Sequence, residues 1–147
     1  MIVPTINQKI AEALKAHDEI RLSTLRMLSS SFNYERINLQ HELTEQEELE
    51  VVRREAKKRK ESIEIYEKNN RQELADKEKK ELVILEEFLP AQISNDELEK
   101  LIDESIHQSN ASTIAEMGKV IALVKSKAGQ TAEGSRIAQL VKSKLAP

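Results

Sequence analysis

An all-α protein is the fold class this 147-residue sequence predicts, and three observations predict it. Only three Gly and three Pro are present, too few for a turn-rich β architecture. Apolar residues recur near the 3.6-residue helical period almost throughout. Capping motifs of the form Ser/Thr-x-x-Glu stand before three of the apolar stripes, where a side chain and the helix backbone satisfy each other's free groups. Hydrophobic residues make up 39% of the chain and charged residues 33%, too apolar for a disordered chain and too charged for a membrane-embedded one. With aromatics at 3%, the core must be aliphatic.

The elements follow in order. Thr5 is positioned to cap a first helix with the stripe Ile6, Ile10, Ala13 and Leu14. Asp18 caps a second, from about Glu19 to Gln40, whose stripe is Leu22, Leu25, Met27, Leu28, Phe32 and Ile37. Thr44-x-x-Glu47 opens a third helix, running to about Lys68, with Leu49, Val52, Ala56, Ile63 and Tyr66 on one side. Arg59 interrupts that stripe, so the seam is not a regular coiled coil. Asn69-Asn70 reads as a turn into a fourth helix that ends at Leu89, with Leu74, Leu82, Leu85, Phe88 and Leu89 inward. Two long helices joined by so short a turn run antiparallel.

Pro90 ends the fourth helix, since it has no N–H to donate and clashes with the preceding turn. Ser94-x-x-Glu97 opens a fifth helix carrying Leu98, Leu101, Ile102 and Ile106. Thr113-x-x-Glu116 opens a sixth, with Ile114, Met117, Val120, Ile121 and Val124, and Gly129 stands where a helix-ending glycine is expected. Thr131 is positioned to cap a seventh, with Ile137, Leu140, Val141 and Leu145. The expected architecture is an N-terminal four-helix lobe built around a long antiparallel hairpin, then a small three-helix tail lobe. The domain division is 1–90 and 91–147.

The absence of Cys rules out disulfides, thiolate metal sites and cysteine nucleophiles. No apolar stretch reaches the roughly 20 residues of a membrane span, and residues 1–14 lack a signal-peptide pattern; a cytoplasmic location is the expectation. His17, His41 and His107 are far apart, and Glu104-x-x-His107 is the single metal-like spacing. A di-iron bundle needs a second such pair, so no metal and no cofactor are expected. No glycine fits a phosphate loop or dinucleotide fingerprint, and no serine sits in a nucleophile elbow; no catalytic residue is assigned.

Charge is more informative. The net charge is -3, but residues 111–147 hold Lys119, Lys125, Lys127, Arg136, Lys142 and Lys144 against only Glu116 and Glu133. Together with Gly129 and Gly134, which flank a polar loop leading into a helix start, these six are the candidate contacts for an anionic partner, since backbone N–H groups at a helix start can hold a phosphate; the alternative is a well-capped helical hairpin with solvated lysines, and an RNA-binding role for them is what the resemblance below implies. The denser run Arg53, Arg54, Lys57, Lys58, Arg59 and Lys60 is flanked by Glu47, Glu48, Glu50, Glu55, Glu61 and Glu64, which can neutralise it along the helix.

Three segments carry a resemblance: Asp18 to Ile37 (DEIRLSTLRMLSSSFNYERI), Glu55 to Ser94 with its Lys-Lys-Arg-Lys-Glu-Ser run and Glu-Glu-Phe-Leu-Pro end, and Met117 to Leu145. Together they resemble the YqeY family over nearly the whole chain. That family is similar to the C-terminal helical and tail region of the B subunit of the tRNA-dependent amidotransferase, which turns glutamate or aspartate mischarged on tRNA into the amide. The resemblance covers the tRNA-engaging portions and leaves out the domain that performs the chemistry. It implies a non-catalytic tRNA- or RNA-binding accessory protein. Within the tail it points to Gly118, Lys119, Lys125, Gly129, Gly134 and Lys142. Ala122 stands where glycine is frequent in the family, and Glu133 where aspartate is. The alternatives are a helical protein-interaction adaptor docking on a partner in translation or aminoacylation, and an amidotransferase-associated component, a carbon–nitrogen ligase with glutamine as amido donor by family association.

Overall fold

The computed structural model describes all residues, 1–147, and contains seven α-helices, two short 3-10 turns and no strand. The helices are α1 (Val3–Lys15), α2 (Glu19–Leu39), α3 (Glu45–Lys68), α4 (Gln72–Glu86), α5 (Asn95–Ser109), α6 (Met117–Ala128) and α7 (Gly134–Leu145). The chain divides into two compact units, Met1–Leu89 and Pro90–Pro147. No helix is long and apolar enough to cross a membrane.

In the first unit α3 is the longest element, about 36 Å at the usual rise per residue. Its capping box at Thr44 and Glu47 is present. Lys79 of α4 meets Glu67 of α3, and Glu81 meets Arg59, so pairs advance along α4 as they recede along α3, the signature of an antiparallel hairpin. Ile2, Ile6, Leu28, Phe32, Leu49, Val52 and Leu85 form the main core, with Ala13, Leu25 and Ile84 in a smaller cluster.

The first helix starts differently from expectation. Thr5 does not cap it; Ile2 holds that position, and the Thr5 hydroxyl donates back to the Ile2 carbonyl. A helix start has several backbone N–H groups without intrahelical acceptors. Here Pro4 has none to offer, and the Ile2 and Val3 N–H groups donate to the Glu48 carboxylate at 2.6 and 3.2 Å. Glu48 comes from α3 and is 0% exposed. A buried carboxylate on the neighbouring helix therefore fixes both the start of α1 and its seating.

Arg59 breaks the apolar stripe of α3 because it is the centre of an ionic cluster. It is buried, as are Glu55 and Glu81. Its Nε lies 2.9 Å from Glu81, and Glu55 and Glu78 stand at 3.4 and 3.5 Å. One guanidinium thus serves three carboxylates, and one Glu78 oxygen is buried with no hydrogen-bond donor. Burial and then the neighbouring Glu81 push the Glu78 carboxyl above its ordinary range, although Arg59 and Lys77 pull it back. Between the ordinary and raised values the folded chain holds a proton that the unfolded chain releases, so stability falls as pH rises through that window. Glu78→Gln should raise the thermal midpoint slightly at pH 7, by less than ~1 kcal/mol of stability, and leave it unchanged near pH 3. Calorimetry at both pH values checks this; a lower midpoint at pH 7 would contradict it.

Four non-glycine residues, His17, Gln40, Asn70 and Asn110, have positive φ, and each follows a helix end, where left-handed backbone stops the spiral. α4 stops at Glu86, short of the expected Leu89. Phe88 and Leu89 N–H groups donate to Leu85 and Glu86 carbonyls in a tighter turn, because the residue before a proline is driven out of helical geometry. Five stripe residues also stay on the surface: Leu14, Met27, Ile37, Leu74 and Ile114 are 52, 42, 70, 41 and 38% exposed.

In the second unit a single cluster, including Leu98, Ile102, Val120, Val124, Ile137, Val141 and Leu145, unites α5, α6 and α7. Ser94 caps α5 through a capping box. Thr113 and Glu116 open a 3-10 turn, Ile114–Glu116, which passes into α6.

Candidate nucleic-acid interface

The tail residues sit on α6, α7 and the connection between them. α6 ends at Gly129, whose φ of 57° and ψ of -129° lie in a region that side-chain-bearing residues scarcely visit. A Cβ there would meet no atom within 4 Å, so the requirement is conformational alone. Gly129→Ala should lower stability by about 1–3 kcal/mol, read by urea unfolding; an unchanged midpoint would show that the loop rearranges freely.

The chain then makes a 3-10 turn, Gly129–Thr131. Thr131 does not cap α7. Its hydroxyl donates to the Ala128 carbonyl at 2.6 Å, and Glu133 takes the cap position without a side-chain hydrogen bond. The start of α7 is consequently uncapped by any side chain. Lys125 reaches it from α6: its Cε and Nζ lie 3.4 Å from where a Cβ on Gly134 would be. Glycine at 134 lets the ammonium settle against the helix start. Partial positive charge from the helix dipole and a full charge from Lys125 thus fall together, with the half-buried Glu133 acid beside them.

The other cations divide into two groups. Lys127 donates to Gln108 at 3.0 Å and stands 3.8 Å from Glu104. Lys144 pairs with Asp103 at 2.8 Å, a hydrogen bond that raises its pKa. Arg136 grips the Asn95 side chain at 2.6 Å and the Ile93 carbonyl at 2.7 Å, while the Ile93 N–H donates to Thr131. These three cations tie α6 and α7 to α5 and to the segment before it. Lys119, Lys125 and Lys142 form no ion pair and are exposed. Glu116, the acid near Lys119, is occupied by the Ser112 and Thr113 N–H groups, which hold its carboxyl below the ordinary range, with a smaller pull from Lys119.

The acids that partner Lys127 and Lys144 lie on α5, outside the 111–147 stretch whose charge excess drew attention. Over residues 90–147 the basic residues number seven (Lys100, Lys119, Lys125, Lys127, Arg136, Lys142, Lys144) and the acidic seven (Asp96, Glu97, Glu99, Asp103, Glu104, Glu116, Glu133). The positive character of this unit is local. Glu104 is engaged with Lys127, His107 is exposed in the last turn of α5, and no three His, Asp or Glu side chains converge in a way that could hold a metal.

The basic run of α3 is similarly partitioned. Arg59 is buried, Arg54 pairs with Glu35 at 2.9 Å and Lys58 with Glu55 at 3.0 Å.

A family model described as Yqey-like protein matches residues 4–145. The chain belongs to the YqeY family. An uncharacterized protein of Schizosaccharomyces pombe, C22F3.15, is 32% identical over 90 residues, which is 61% of this YqeY chain and 73% of the relative. The YqeY match spans both units described above, so the hairpin and the α5–α7 bundle are parts of one family sequence.

Proposed function

We propose that this YqeY-family chain is an RNA-binding accessory protein that engages tRNA or a tRNA-like fold, with no chemistry of its own. The observation that carries the reading is the pairing of Lys125 with the uncapped start of α7 across Gly134, which provides an ammonium and free backbone donors at one place, the combination that suits a phosphate. Lys119 and Lys142 supply further cations not claimed by carboxylates. Lys127, Lys144 and Arg136 are held by the fold and contribute by shaping the unit. The chain contains two Phe, two Tyr and no Trp, so base stacking has little to work with and recognition is by backbone and shape. Resemblance to the tRNA-engaging region of the amidotransferase B subunit points the same way.

The test is fluorescence anisotropy of labelled bulk tRNA across a salt series. The wild type is compared with Lys119→Gln/Lys125→Gln/Lys142→Gln and with Lys127→Gln/Lys144→Gln. The triple variant should weaken binding and flatten the log affinity against log salt slope by about two to three units. The double variant should lower thermal stability while keeping most of the slope. No binding by the wild type at low salt, or an unchanged slope in the triple variant, would overturn the assignment.

A further inference from the structure

The first unit holds a groove that the RNA reading does not use. It lies between α2 and α3, has a volume of about 390 Å³, and is lined by Met27, Ser30, Ser31, Tyr34 and Glu35 from one helix and by Val51, Arg54, Glu55 and Lys58 from the other. We propose that this groove docks an acidic amphipathic helix of a partner protein.

Two properties of the groove define the occupant. The first is apolar surface left in water. Met27 and Tyr34 are two helical turns apart and so share a face of α2; they are 42 and 74% exposed. Val51, almost fully buried, closes the floor, and Met27 is braced there by a contact of its sulfur with Arg59. A methionine and a tyrosine over an aliphatic floor offer an adaptable and a rigid apolar contact side by side. Spaced along one helix, they match anchors that recur every three or four residues on a partner helix.

The second property is the sign of the rim. Arg54 and Lys58 each pair with a carboxylate, but the partners are not equally visible. The Arg54 side chain is 56% exposed and its partner Glu35 17%; Lys58 is 66% exposed and its partner Glu55 10%. The acids lie beneath and the cations project. What a visitor meets is a positive edge, one turn long, alongside an apolar trough. Acidic residues flanking apolar anchors complement both. A polyphosphate chain would satisfy the rim and leave Met27 and Tyr34 in water, so the apolar component favours a protein helix over RNA.

The experiment uses the full chain, ¹⁵N-labelled, and a 16-residue helical probe peptide with Leu at i, i+3, i+4 and i+7 positions and Glu at most others. Controls are the same peptide with Lys for Glu and a single-stranded 16-nucleotide RNA. Amide shift changes should fall on residues 27–35 and 51–58. The Glu peptide should bind at least tenfold more tightly than the Lys peptide. Tyr34→Ala should weaken it about tenfold, and Lys58→Gln a few-fold with reduced salt sensitivity. Both positions are exposed, and the amide spectrum of each variant confirms its fold. Equal binding of the two peptides, shift changes elsewhere, an unaffected Tyr34→Ala variant, or RNA displacing the peptide from these residues would each overturn the proposal.

Discussion

Arg59→Ala is expected to destabilise the first unit by about 3–5 kcal/mol, the usual cost of removing one member of a buried ionic cluster. The Coulomb energy of the lost pairs is the smaller part. What dominates is the state left behind: Glu55 and Glu81 are 8 and 6% exposed; Glu81 would lose its cation, and Glu55 would keep only the exposed Lys58. A second variant separates the charge effect from packing. Arg59→Met, Glu55→Met and Glu81→Leu together remove all three buried charges at similar volume and should lie within ~1–2 kcal/mol of wild type, since apolar replacement of a whole buried cluster is often neutral or stabilising. Urea unfolding of both variants at pH 7 provides the readings. A loss below ~1 kcal/mol for Arg59→Ala would mean that water reaches the cluster and the buried-charge account fails.

Glu48→Ala should cost about 2–4 kcal/mol, the range for losing charge-assisted hydrogen bonds and leaving buried donors unsatisfied. Its carboxylate accepts from Ile2 and Val3 at the start of α1, so the damage should begin there. Amide hydrogen exchange can see this directly: protection along α1 should fall further than protection along α3. Glu48→Gln keeps one acceptor oxygen and should lose about half as much. Uniform protection loss across the unit would show that Glu48 acts through core packing, and a wild-type midpoint would remove it from the account altogether.

Neither residue announces itself in the sequence. Glu48 reads as one more acid near the start of α3, and Arg59 as a flaw in an apolar stripe. Their roles depend on partners far along the chain, Ile2 for one and Glu81 for the other, and local periodicity carries no information about such pairings. Local signals were legible where the physics is local. Thr44, Ser94 and Asp18 cap the helices they precede, and Gly129 ends α6 with the positive φ that glycine permits. Thr5 and Thr131 misled because a hydroxyl near a helix start can equally donate backwards to a carbonyl, as both do. Met27 and Ile37 misled because a 21-residue helix has more apolar periodicity than its neighbours can cover. Gln40 takes left-handed backbone without being one of the residues that favour it.

The candidate interface was legible in composition and only partly in arrangement. The excess of lysine in the last 37 residues is plain from the sequence. That Asp103 and Glu104 on the preceding helix would claim Lys144 and Lys127 depends on how α5 packs, and the meeting of Lys125 with Gly134 depends on the turn between α6 and α7.

The even balance of charge in the second unit has a kinetic consequence. Seven cations and seven anions give it no net monopole, so this unit by itself neither draws in nor repels a polyanion at a distance. An RNA would have to arrive with the unpaired lysines already turned towards it, and its association rate would sit near the unsteered range of about 10⁵–10⁶ M⁻¹s⁻¹. Salt would then act chiefly on how long the complex lasts, because added ions compete for phosphates once Lys119, Lys125 and Lys142 are in contact and have little long-range attraction to screen beforehand.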